Sequence, residues 1–154
     1  MTVMVSDEQD DPIPIQPLSD LVGIVMEAEG LERDTVVDLM FVGEAAMTQL
    51  NQTHMNKTGS TDVLSFPIED AQPGIPPRRD PAGPPVHLGD VFVCPRVVAA
   101  NATKTDVSFS DELALVVVHG VLHLLGYDHV DDDDAELMEG RERSILQQVG
   151  RVRP

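Results

Sequence analysis

The chain has 154 residues, 42% of them apolar and 24% charged, which fits one domain with a full hydrophobic core and a globular, not a disordered, composition. Its net charge of −17 argues against a basic domain that holds nucleic acid through many Lys and Arg contacts to phosphate. The single cysteine, Cys94, excludes an internal disulfide and suits a reducing cytosol.

In chain order, Thr2–Val5 alternates weakly and reads as an edge strand. Asp10–Pro17 holds three prolines and reads as a loop. Leu18, Leu21, Val22, Val25 and Met26 share one helical face, and Gly30 ends that helix. Val36–Val42 is a β-branched strand, and Glu44–Asn56 is a second helix. Asp62–Pro67 is a short strand. Residues 71–86 carry six prolines and two glycines and should form an exposed loop. His87–Cys94 is a fourth strand, in which Cys94 is a buried small hydrophobe, and Pro95 suits the first turn of a helix over Arg96–Lys104. Ser110 is the expected N-cap of a helix running to Leu125, with Asp111 and Glu112 in its first turn. A last helix covers about Asp133–Gln148, with the run Asp131–Asp134 at its N-terminus.

Strands and helices interleave, so the expected fold is a single α/β (α+β) domain. A mixed, mostly parallel four-stranded sheet packs against about five helices. Met1–Asp11 has neither a basic start nor an apolar stretch, so no secretory leader is expected. The longest apolar stretch, Leu113–Leu125, is interrupted by His119, Gly120 and His123 and is too short for a membrane span.

Three of the five histidines fall within the eleven residues His119–His129. His119 and His123 are four apart on a helix, so their rings share one face a turn apart. Gly126 can take positive φ, end the helix and let the chain bring His129 to the same ion. Three imidazoles and an open position make the pattern of a catalytic zinc site, which brings a bound water's pKa to about 7. A structural zinc would need a fourth protein ligand, and Cys94 is distant in sequence. Asp128 or a backbone carbonyl can orient a ligand ring from behind. The spacing H-x-x-x-H-x-x-G-x-x-H is also that of metzincin proteases, whose general base is a Glu after the first histidine. Here that position is Gly120, which has no carboxylate.

The stretch His119–His129 resembles the H-G-x-L-H-L-x-G-Y-D-H signature of the YbeY family, bacterial metal-dependent endoribonucleases of rRNA maturation. Leu50-Asn51 with Thr61-Asp62-Val63-Leu64-Ser65-Phe66-Pro67, and Leu88-Gly89-Asp90-Val91, resemble two further motifs of that family in the same order. The resemblance covers about residues 36 to 146. It implies a single metal-dependent hydrolase domain over 1–154, with one Zn²⁺ held by His119, His123 and His129. It also implies a cytoplasmic, single-strand-specific endoribonuclease acting near the 3′ end of the 16S rRNA precursor. A role in quality control of the small ribosomal subunit follows from the same likeness.

One position departs from the family. Where it often has arginine, this chain has Met55, which cannot stabilise charge on a phosphate. Lys57, Arg78 and Arg79 are the candidate phosphate contacts, although the arginine pair also fits a solvated loop. His54, Thr61, Asp62 and Ser65 are candidate cleft residues; Asp62 equally fits a turn cap. Two other functions stay open. One is a zinc hydrolase of peptides or small molecules, kept alive by the ligand spacing. The other is a non-enzymatic ribosome-assembly factor with a structural metal, favoured by Met55 and the acidity.

Overall fold

In the computed structural model, which describes all residues from Met1 to Pro154, the expected alternation of strands and helices is present. Its elements are β1 (Thr2–Glu8), α1 (Ile15–Ala28), β2 (Val36–Val42), α2 (Glu44–Met55), β3 (Val63–Pro67), β4 (His87–Val93), α3 (Pro95–Thr105), α4 (Phe109–Leu124) and α5 (Asp132–Gln148). The sheet order is β1-β2-β4-β3. β1–β2 and β2–β4 are parallel, and β3–β4 is antiparallel. The single mixed, mostly parallel four-stranded sheet with five helices is therefore as expected.

Most boundaries lie within a residue or so of the sequence reading, and three differences have a structural reason. β1 runs to Glu8, because its parallel pairing with β2 continues to Glu8↔Val42. The loop expected over Asp10–Pro17 stops earlier, since α1 begins at Ile15; Pro17 sits in the first turn, where a missing N–H costs nothing. The cap of α4 is Ser108 rather than Ser110: its side chain accepts from the Asp111 N–H at 3.1 Å. At α5 the acidic run does cap the helix, with Asp131 accepting from the Asp134 N–H at 2.8 Å.

α4 explains the layout. Leu113, Ala114, Val116, Val117, Val118, Val121, Leu122 and Leu124 are all buried, so the helix is apolar nearly all round. Such a helix must be enclosed, and it packs against α1, α3, α5, β3 and β4. On the sheet, Val37, Leu39 and Phe41 of β2 and Val91 and Val93 of β4 join α4 in the main core. Cys94 is buried, and that burial pushes its thiol up, away from the reactive form. No single helix is long and apolar enough to cross a membrane.

The β2–β4 register has one irregularity. His87 pairs with Val36, but the next pair is Gly89↔Val37, leaving Leu88 as an extra residue. The bulge turns His87 to the same sheet face as Asp38 and Asp90, with His87 Nε2 3.1 Å from Asp38 and 4.0 Å from Asp90. Burial and the neighbouring Asp38 hold the Asp90 carboxyl above its usual range, although His87 draws it back. A carboxyl raised by folding favours the native state most at low pH, and that contribution is lost as pH rises through its folded pKa. Asp90→Asn should therefore be more stable than the parent at pH 7, by under about 1 kcal/mol for a partly exposed pair. The difference should close in denaturant melts at about pH 3, below the usual carboxylate range.

Candidate metal centre

The last turns of α4 carry His119 and His123, and the four residues after it bring up His129. Gly126, at φ +92°, makes the reversal. A Cβ there would lie 2.2 Å from the Ala71 carbonyl oxygen, so the turn also lets residues 71–72 approach. The three rings converge, with centroids 4.5, 5.2 and 5.3 Å apart. One donor nitrogen from each lies within 4.8 Å of the others, close enough to share one ion.

Both helical histidines have Nδ1 fixed from behind. His119 Nδ1 is 3.1 Å from Glu142 Oε2, and His123 Nδ1 is 2.9 Å from the Tyr127 carbonyl oxygen. A carbonyl and a carboxylate oxygen accept hydrogen bonds and do not donate them, so each ring carries its hydrogen on Nδ1 and turns the Nε2 lone pair to the centre. Burial, and then the neighbouring His119, hold His123 below its usual range, which favours the neutral ligand form. Tyr127 is itself anchored. Its hydroxyl donates to Glu29 at 2.9 Å, and Arg141 donates to the other oxygen of Glu29 at 2.9 Å. Burial and Glu29 push the Tyr127 hydroxyl up to about 12, so it stays a donor. The donor set is all imidazole with both tautomers fixed, and it fits a borderline-soft divalent ion with a position left open.

Beside the triad runs a 460 Å³ cleft lined by Met55, Lys57, Thr61, Asp62, Ser65 and Asn51, among others. Ser65 Oγ donates to the Gly120 carbonyl at 2.8 Å, which fastens β3 to α4 next to His119. Gly120 has no room for a side chain: a Cβ would lie 2.6 Å from Val91 Cγ1 and 3.1 Å from Val63 Cγ2. The glutamate of the metzincin pattern is thus excluded by packing as well as by sequence. Asp62 accepts from the Val63 N–H at 2.8 Å and from Thr61 at 3.3 Å, closing the turn into β3. The nearly buried Asn51 donates to the Gly59 carbonyl and accepts, through its own carbonyl, from the Lys57 N–H, shaping the turn that presents Lys57.

Other candidates lie elsewhere. His54 does not line the cleft; its ring meets Phe66 edge-on at 5.1 Å. Arg78 reaches the Gly30 carbonyl, and Arg79 pairs with Asp34 at 2.6 Å, so the two fasten the 71–86 segment to the α1–β2 connection and leave the cleft. The exposed Asp128 accepts from the His129 N–H at 2.7 Å. Glu142 is absent from the sequence-based candidates. It is buried to 1% exposure on the stripe Met138, Glu142, Ile145, Leu146 of α5, and a lone acid on a core stripe is the signal that points to it.

The family model of the endoribonuclease YbeY matches residues 4–150 of the chain. The chain belongs to the YbeY family. Among its YbeY relatives, the protein named Endoribonuclease YbeY from Clavibacter michiganensis subsp. michiganensis is 39% identical over 139 residues, covering 90% of this chain and 86% of that one. The protein of the same name from Leifsonia xyli subsp. xyli is 38% identical over 146 residues, covering 95% and 94%. The solution structure of TM1509 from Thermotoga maritima shares the fold, with a TM-score of 0.62 over 96% of this chain and 91% of that one, at 23% identity.

The YbeY signature glycine at 126 then has a testable weight. Gly126→Ala forces an L-residue into positive φ and against Ala71, a strain of about 1–3 kcal/mol. It should lower the melting temperature and weaken any binding of an added divalent metal by roughly tenfold or more in chelator competition, because the Tyr127 carbonyl and His129 move together. Unchanged metal affinity would show that the turn does not place the third histidine.

Proposed function

We propose that this YbeY-family chain is a zinc-dependent endoribonuclease that cuts single-stranded RNA. The observation that carries the reading is the convergence of three imidazoles, two of them held from behind, on the wall of a cleft, in a chain matched to an endoribonuclease family over residues 4–150. His119, His123 and His129 would hold the ion. A bound zinc supplies Lewis acidity toward a phosphoryl oxygen and a water of lowered pKa.

The chain's own residues do the positioning. Lys57 is the one Lys or Arg lining the cleft and would hold a phosphate flanking the scissile bond as a point charge. Thr61 and Ser65 offer hydroxyls along the same wall, and Asp62 and Asn51 keep the segments bearing these groups in place. Met55 lines the cleft without charge, so transition-state charge falls to the metal site and Lys57. On this reading the chain of net charge −17 would contact few phosphates, since Lys57 is the single Lys or Arg in the cleft. The RNA we propose is the 16S rRNA precursor near its 3′ end, met in the cytoplasm on the small ribosomal subunit during maturation and quality control.

Zinc-loaded protein should cleave single-stranded RNA, spare duplex RNA and leave casein intact, and His123→Ala should abolish both cleavage and stoichiometric zinc. Lys57→Ala should weaken binding of a non-cleavable single strand and reduce the slope of log K against log salt by about 0.7, one phosphate's share. Digested casein would favour a peptidase. RNA bound but left whole would favour a non-enzymatic assembly factor, the reading that Met55 supports. Loss of the gene should cause precursor 16S rRNA to accumulate.

A further inference from the structure

Glu142 is the only charged residue among the buried set, and both its oxygens are occupied. Oε2 faces His119 Nδ1 at 3.1 Å, and Oε1 accepts from Arg153 Nε at 3.3 Å. Arg153 lies outside every helix and strand, on the segment that follows α5. Three contacts place that segment. Gly150, at φ +74°, turns the chain after the helix, and the Arg151 N–H returns to the Leu146 carbonyl at 2.9 Å. The Arg151 side chain then donates to Asp111 at 2.7 Å and to Ser110 at 2.8 Å, on the first turn of α4. Two residues later Arg153 reaches Glu142.

We infer that Arg153 is a positioning residue of the metal centre, acting through Glu142 on His119. The inference rests on the reading that the histidine triad holds a metal. A carboxylate this deeply buried needs a cationic or multiply donating partner, and a neutral imidazole N–H alone is a weak one. Arg153 is the only Lys or Arg bonded to Glu142. With Oε1 held by the guanidinium, the carboxylate plane is fixed and Oε2 stays aimed at Nδ1. That contact keeps the His119 hydrogen on Nδ1 and its Nε2 lone pair on the open centre. Without Arg153, Glu142 has reason to swing toward water or the exposed Arg143, and His119 loses the acceptor that sets its tautomer.

The test uses the full-length protein and two readouts, one of them independent of metal. In metal-free protein, imidazole ¹⁵N shifts report the His119 tautomer; in loaded protein, chelator competition reports zinc affinity and the cobalt-substituted form reports ligand geometry by its visible spectrum. The parent should show the Nδ1–H tautomer, and Arg153→Ala should show a mixture, with zinc bound about tenfold or more weakly and an altered cobalt spectrum. Arg153→Lys should restore part of the affinity. Glu142→Gln should also weaken binding, and combining it with Arg153→Ala should add little, as for two residues in one relay. Arg143→Ala, which removes the same charge from an exposed pair with Glu139, should change neither readout. An Arg153→Ala protein with the parent's tautomer and zinc affinity would overturn the inference. A tautomer shift on Arg153→Ala, together with a parent that binds no zinc, would leave the relay standing and remove the metal reading instead.

Discussion

Each helix-borne histidine of the triad has its Nδ1 fixed by a protein acceptor, Glu142 for His119 and the Tyr127 carbonyl for His123, and the geometry of the candidate metal centre depends on that pair of contacts. An imidazole free to rotate or to exchange tautomers offers its lone pair to the centre only part of the time. The two acceptors come from different places. One is backbone four residues downstream, delivered by the helix end itself. The other is a side chain on α5, delivered by tertiary packing. The site therefore exists only when α4 and α5 are docked, which would link metal binding by the triad to the folded core.

That docking is close-packed. α4 is apolar nearly all round and is enclosed by three helices and two strands. At Gly120 the helix comes so near to Val91 and Val63 that no side chain fits, and Ser65 bonds its carbonyl. The close approach sets the cleft wall next to His119 and removes the position from which a peptidase-like carboxylate would act. One packing constraint thus serves both the fold and the choice of chemistry. Against it, a buried carboxylate and a histidine-lined surface oppose stability, and Arg153 and the imidazole N–H offset part of that cost.

Much of this was legible in the sequence because it is local. Ligand spacing of four on a helix, a glycine that takes positive φ, and acidic residues before a helix are decided within one or two turns of chain. The strands and helices followed from periodicity, and their misplaced ends, Pro17 inside α1 and Ser108 in place of Ser110, turn on cap geometry that periodicity does not contain. Glu142 lies 23 residues from His119, and Arg153 another 11 further on, so their contacts depend on how α5 docks. Arg78 and Arg79 show the reverse case: as a basic pair in a long loop they resemble phosphate contacts, yet the fold gives them acidic and carbonyl partners across the α1–β2 connection. The Tyr127 carbonyl has no side-chain signature and is visible only in three dimensions.

The central claim is that three imidazoles, and no other protein side chain, hold one ion with a position left open. Zinc X-ray absorption on the loaded protein measures this directly. The expected result is three nitrogen scatterers of imidazole type at about 2.0–2.1 Å with one further light-atom ligand at a similar distance, and loss of one imidazole in His129→Ala. A sulfur scatterer at about 2.3 Å, or a shell unaffected by changing any of the three histidines, would contradict it.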